Sequence, residues 1–111
     1  MTASSSSSLV RIVVLEALDI PRAEKIKEQF SLMASGFPGL VTAEVGQVSF
    51  PTCQWDVVNI GRSQIVTLML RFVAIADRDA YLADPHRQAL FQEAKKSAVM
   101  ASDKVIEILN T

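Results

Sequence analysis

From Leu9 to Leu18 the chain is rich in β-branched residues, and apolar positions fall on both sides of a two-residue repeat. Val13, Leu15 and Ala17 share one side with Arg11, while Val10, Ile12, Val14 and Leu18 share the other with Glu16. A strand that is apolar on both sides is usually covered on both sides. Asp19-Ile20-Pro21 then opens a helix, because Asp caps well and proline is tolerated in a first turn. Ala23, Ile26, Phe30, Met33 and Ala34 recur at helical spacing, opposite Arg22, Lys25, Glu28 and Gln29. Ser35-Gly36 ends this helix, and Phe37-Pro38-Gly39 turns the chain.

Leu40 to Phe50 alternates in part and predicts a second strand, with Gly46 marking a bulge or bend. Pro51 to Ser63 reads as a loop whose centre, Trp55 to Ile60, is apolar enough to pack as a lid. Gln64 to Val73 is a third strand. Val66, Leu68, Leu70 and Phe72 share one face; Ile65, Thr67, Met69, Arg71 and Val73 share the other. Asp77 is read as the cap of a short helix over Arg78 to Ala83. Asp84-Pro85 starts another, with Leu90, Phe91, Ala94 and Ala98 as its apolar stripe and Glu93, Lys95 and Lys96 outward. Lys104 to Leu109 is the last strand.

The resulting order is β-α-β-β-α-β, the second helix being in two pieces. This is the split β-α-β, ferredoxin-like plan: an α+β fold with a four-stranded antiparallel sheet. Its helices lie on one face of the sheet. The other face would be wet in a monomer, although strands one and three are apolar on both faces. Exposing roughly 600 Å² of apolar sheet forgoes about 15 kcal/mol. A two-fold partner presenting the same face is the simplest remedy, so the pattern predicts a homodimer.

Size and charge narrow the function classes. The chain of 111 residues fits one domain. Residues 1–8, with serines from Ser4 to Ser8, read as a disordered tail, and 9–111 as the domain. The net charge of −1 and the lack of a basic cluster argue against nucleic acid as a partner. No apolar run reaches the ~18 residues that span a bilayer, and no secretory signal is visible. With Cys53 as the single cysteine, the expected compartment is the cytoplasm. One Cys and one His make no common zinc site, so no metal or other cofactor is implied.

At this point the chain resembles the stress-responsive dimeric α/β-barrel (Dabb) domains over about Leu9 to Leu109. The resemblance lies in Val10-Arg11-Ile12-Val13-Val14-Leu15, in Phe37-Pro38-Gly39-Leu40 and in Leu70-Arg71-Phe72. It is best in Ala80-Tyr81-Leu82-Ala83-Asp84-Pro85-His86-Arg87, running on through Phe91. It implies a two-fold dimer whose sheets close a barrel. It also implies, as in a polyketide cyclase among the relatives, a pocket between sheet and helices that serves aldol-type ring closure. Of the cyclase acid–base set only the tyrosine is kept in register, as Tyr81. Arg11, Val66 and Arg87 stand where those relatives have histidines, and His86 lies one step before Arg87.

Three functions are therefore carried forward. The first is a Dabb-like homodimer with a cavity for a small, largely apolar molecule, lined by Val13, Leu15, Val66, Leu68, Leu70, Phe72, Tyr81 and Arg87. The second is a cofactor-independent enzyme (a cyclase, isomerase or decarboxylase-like lyase) acting on a polyketide-like substrate. There Tyr81, His86 and Arg11 would stabilise an enolate and move a proton. The third is a structural dimer with a filled core, to be told apart by a cavity of less than ~300 Å³ beside Tyr81.

Each candidate also has a structural reading. His86 can be an exposed first-turn residue, Tyr81 a helix residue packed on the sheet, and Trp55 a cover for the core. Arg11 and Arg71, among apolar neighbours, call for acidic partners such as Glu16, Glu44, Asp56 or Glu107. A carboxylate ligand is the alternative for Arg11. Cys53 has no evident activating base.

Overall fold

A computed structural model describes residues 8–51, 62–100 and 102–110 of the chain. The elements run β1 (Ser8–Ala17), α1 (Ile20–Met33), β2 (Leu40–Pro51), β3 (Arg62–Phe72), α2 (Ile75–Ala83), α3 (Pro85–Lys96) and β4 (Lys104–Asn110). The strands form one antiparallel sheet in the order β2-β3-β1-β4. The tail before Ser8, Cys53, Trp55, Asp56 and the apolar stretch to Ile60 lie outside the described residues.

Register sorts the side chains. Val13 pairs with Leu68, Leu15 with Val66 and Arg11 with Leu70, so these residues share the face that carries the helices. Ala23, Ile26, Phe30 and Met33 of α1, spaced three or four apart, close over that face together with Leu90 and Ala94 of α3. Val66, Leu68, Leu70, Phe72, Ile26 and Phe30 have no solvent exposure. Fully burying one such side chain is worth about 1.5–3 kcal/mol, which makes this layer the main source of stability.

Local signals set the helix ends. The Asp19 carboxylate accepts from the Arg22 amide at 2.9 Å, and Asp84 does the same for the Arg87 amide at 3.0 Å; both helices carry proline in the first turn. Two expectations need correction here. α2 begins at Ile75 and has no side-chain cap, so Asp77 sits inside its first turn as an acidic residue near the helix N-terminus. Gly46 does not interrupt β2. The register shift lies instead at Leu40/Thr42, and a Cβ on Gly46 would come within 2.8 Å of Thr67 Oγ1. Gly39 has φ +85°, and a Cβ there would land on the Asp77 side chain, so the turn needs glycine.

The helix-free face carries Val10, Ile12 and Val14 of β1, Ile65, Thr67 and Met69 of β3, and Ile106 and Ile108 of β4, with Ile12 opposite Ile106 and Val10 opposite Ile108. No described helix covers it. β4 is exposed along its whole length, with Ile106 at 52% and Ile108 at 48%. Arg71 lies on this same face and is exposed, which corrects the expectation of a buried arginine there.

Candidate functional site

The resemblance placed a pocket between sheet and helices at Tyr81, and a cavity of about 70 Å³ lies there. Arg11 and Val13 of β1, Leu70 of β3 and Met33 of α1 form its floor and one wall. Tyr81, Leu82, Arg87, Gln88 and Phe91 close it from α2 and α3. Leu82 and Gln88 are exposed, which puts the mouth beside them. The volume is below the ~300 Å³ that tells a ligand site from a filled core, so on size alone the cavity sides with the structural dimer. Sequence patterning marked Met33 and Phe91 as buried helix positions, but nothing in it marked Leu82 or Gln88.

Of the expected pocket residues, Val13, Leu70, Tyr81 and Arg87 line this cavity. Val66, Leu68 and Phe72 are instead packed into the core. Leu15 borders a different hollow of about 410 Å³, shared with Lys95, Lys96, Val99, Met100 and Asp103. Of the three expected catalytic side chains, the fold brings Arg11 and Tyr81 together. His86, exposed in the first turn of α3, is not among the lining residues.

Tyr81 is buried. Its ring stands edge-on to Phe37 (5.3 Å, 78°) and Phe72 (5.3 Å, 67°), and its hydroxyl donates to the Met33 carbonyl at 2.9 Å. Burial pushes the phenol up to about 12, against the opposing pull of the Arg87 and Arg11 charges. The hydroxyl therefore keeps its proton at neutral pH and spends it on the backbone.

Arg87 is buried at the end of α1. Nη1 donates to the Leu32 carbonyl (2.9 Å), the Met33 carbonyl (3.4 Å) and Ser35 Oγ (3.0 Å). Nη2 donates to the carbonyls of Ser35 (3.3 Å) and Gly36 (3.1 Å). A helix leaves its last carbonyls without internal partners and partly negative, and one guanidinium serves them here. The same guanidinium lies 5.4 Å over the Phe37 ring and 5.5 Å over the Tyr81 ring. Ser35-Gly36 announced a helix end. A partner 52 residues later in sequence left no local signal.

Arg11 finds the acidic partner its strand context demanded. Its Nη1 donates to Glu107 Oε2 at 2.6 Å, directly across the β1–β4 pair. Glu107 Oε1 accepts from Arg78 Nη1, and Arg78 Nε also reaches Asp79 at 2.7 Å. The hydrogen bond from Arg78, more than that from Arg11, holds the Glu107 carboxyl below its ordinary range. Among the described residues no cluster of His, Cys, Asp and Glu is placed to hold a metal ion, and no helix is long and apolar enough to cross a membrane.

No family model matches the chain, and no curated protein matches it. Solved structures do. A dimeric ferredoxin-like protein of unknown function from Jannaschia sp. CCS1 is 20% identical with a TM-score of 0.66, covering 91% of this chain and 97% of its own. A dimeric ferredoxin-like protein of unknown function from Thermobifida fusca is 12% identical with a TM-score of 0.61, covering 91% and 90%. A proposed antibiotic biosynthesis monooxygenase from Chloroflexus aurantiacus is 12% identical with a TM-score of 0.60, covering 92% and 93%. Identities this low speak for architecture alone: the chain is an α+β domain of the ferredoxin-like fold, with a four-stranded antiparallel sheet and three helices among the described residues.

Proposed function

We propose that this chain acts as a homodimer that binds a small, largely apolar molecule in the cavity beside Tyr81, in the manner of the Dabb domains it resembles. The observation that carries the dimer is the helix-free face, where Met69, Ile106 and Ile108 are exposed beside the half-buried Ile12 and no described helix covers them. A second copy presenting the same patch about a two-fold axis buries both. Support also comes from the solved neighbours described as dimeric. The apolar cavity wall of Val13, Met33, Leu70 and Phe91, with a few polar groups converging on it, supports the ligand. Because the cavity is only about 70 Å³, this reading requires that one end of the ligand enter it and the rest stay outside the Leu82–Gln88 mouth. The compartment that goes with this reading is the cytoplasm. Sedimentation velocity at micromolar concentration tests the dimer: a mass of twice 12.1 kDa is expected, and a clean monomer contradicts it.

A second reading is catalysis without a cofactor on a polyketide-like substrate. It is favoured by the placing of Arg11 and Tyr81 on one cavity wall. Tyr81 and Arg11, which line the cavity, would be its working residues, with His86 acting from outside the lining. Turnover of a candidate polyketide by wild type, Tyr81→Phe and His86→Ala tests it; equal rates in all three count against this mechanism.

A further inference from the structure

We infer that the molecule taken by the Tyr81 cavity is an organic anion, a monocarboxylate on an apolar body, held by the guanidinium of Arg11. The inference rests on the ligand-binding reading above and narrows it to a chemical class. The wall carries two guanidiniums, Arg11 and Arg87, and no carboxylate lines it. A guanidinium has five N–H donors. The Arg11 side chain is 17% exposed, and its one described hydrogen bond uses Nη1, to Glu107. That carboxylate is already shared, since Glu107 also binds Arg78. Two cations thus divide one anion at this end of the cavity. The other acid on Arg78 is Asp79, 65% exposed, whose charge is largely answered by water.

Arg87 is the second cation of the wall, and its ion pair with Asp84 is long. Its five hydrogen bonds go to four carbonyls and one hydroxyl, all uncharged. The nearest carboxylate oxygen, on Asp84, lies 3.8 Å from its Nε, and that Nε has no hydrogen-bond partner. Tyr81 adds no negative charge, because its phenol stays protonated. An arriving carboxylate meets spare, planar N–H donors on Arg11 and a second fixed cation on the same wall. A neutral amide of the same shape gains much less. Val13, Leu70 and Phe91 then face the first carbons of an apolar body.

The test compares hexanoate with hexanamide, a pair nearly equal in shape and different in charge, on the purified full chain at pH 7. Binding is followed by calorimetry and by the Arg11 Nε–H resonance in NMR. Hexanoate is expected to bind about tenfold tighter than hexanamide and to shift that resonance. The preference is expected to vanish in Arg11→Gln and to be partly restored in Arg11→Lys. Hexanamide binding as tightly as hexanoate overturns the anion inference and leaves the ligand-binding reading standing. Hexanoate binding that leaves the Arg11 resonance unmoved overturns it as well. Failure of both probes to bind at millimolar concentration overturns the inference and the cavity reading together. Should Arg11→Gln not fold, the wild-type comparison and the resonance decide alone.

Discussion

Glu107 on β4 stands directly opposite Arg11 on β1 and binds its Nη1 at 2.6 Å, while its other oxygen accepts from Arg78 of α2. One carboxylate on an exposed edge strand thereby ties that strand to its neighbour and to the helix layer. The carboxyl is held below its ordinary range. A depressed carboxyl contributes stability that is complete above the unfolded value, ~4.3, and is lost as pH falls through the folded value. Urea midpoints of wild type are therefore expected to drop more steeply below about pH 4 than those of Glu107→Gln. At pH 7 the variant is expected to be less stable by about 1 kcal/mol, since the network is partly exposed. Parallel acid profiles for the two proteins contradict this account.

Tyr81 has the opposite sign. Its phenol is pushed up to about 12 by burial, so its contribution is intact below the unfolded value of ~10 and is lost as pH rises through about 12. Wild type is expected to destabilise over that window, and Tyr81→Phe to lack that part of the alkaline slope. At pH 7 the variant removes one donor to the Met33 carbonyl, which Arg87 Nη1 still approaches at 3.4 Å. A cost of about 1 kcal/mol in urea denaturation is expected. Ultraviolet titration of the single tyrosine reads the phenol directly; a midpoint near 10 contradicts the burial argument.

Much of this fold is legible in the residue pattern because strand and helix periods report burial locally. Val13, Leu15 and Ala17 alternate on β1, and Ala23, Ile26, Phe30 and Met33 recur on α1; both sets are buried. Asp19 and Asp84 cap because capping needs only neighbours within three residues. The errors have the same root. Asp77 resembles a cap, but α2 starts earlier, where the chain leaves β3 and no side chain is needed to turn it. Gly46 looks like a breaker, whereas it lets β2 pass close to Thr67, a contact between strands. The site is legible in half. Arg11 announced its need for an acid from its strand neighbours alone. The role of Arg87 at the end of α1 depends on a long-range approach that no local pattern encodes.

Arg87 is expected to be the costliest single charge to remove. Arg87→Met keeps much of the apolar stem and removes the guanidinium donors to the carbonyls of Leu32, Met33, Ser35 and Gly36, of which Leu32 keeps Ser35 and Met33 keeps Tyr81 as donors. The loss is expected to be about 2 kcal/mol by urea denaturation, because one buried guanidinium holds the end of α1 through several hydrogen bonds at once. Arg87→Lys, which lacks the planar fork, is expected to recover less than half of it. Lys equal to Arg would mean that charge near the helix end, rather than the set of hydrogen bonds, is what matters.

The helix-free face carries the last prediction. Ile106 faces Ile12 across the β1–β4 pair and is 52% exposed in the single chain. If two sheets stack through this face, Ile106→Glu places two like charges in one apolar interface, one from each copy, related by the two-fold axis. Desolvating them without partners is unfavourable, so the dimer dissociation constant is expected to rise about a hundredfold or more. The chain fold should survive, because Ile106 makes no part of the helix-side core. Ile20→Glu is the control: Ile20 is 60% exposed but opens α1 on the helix layer, and its change should leave association untouched. Sedimentation equilibrium across a concentration series reads both variants. An Ile106→Glu chain that stays as tightly paired as wild type would place the contact between copies somewhere other than this face.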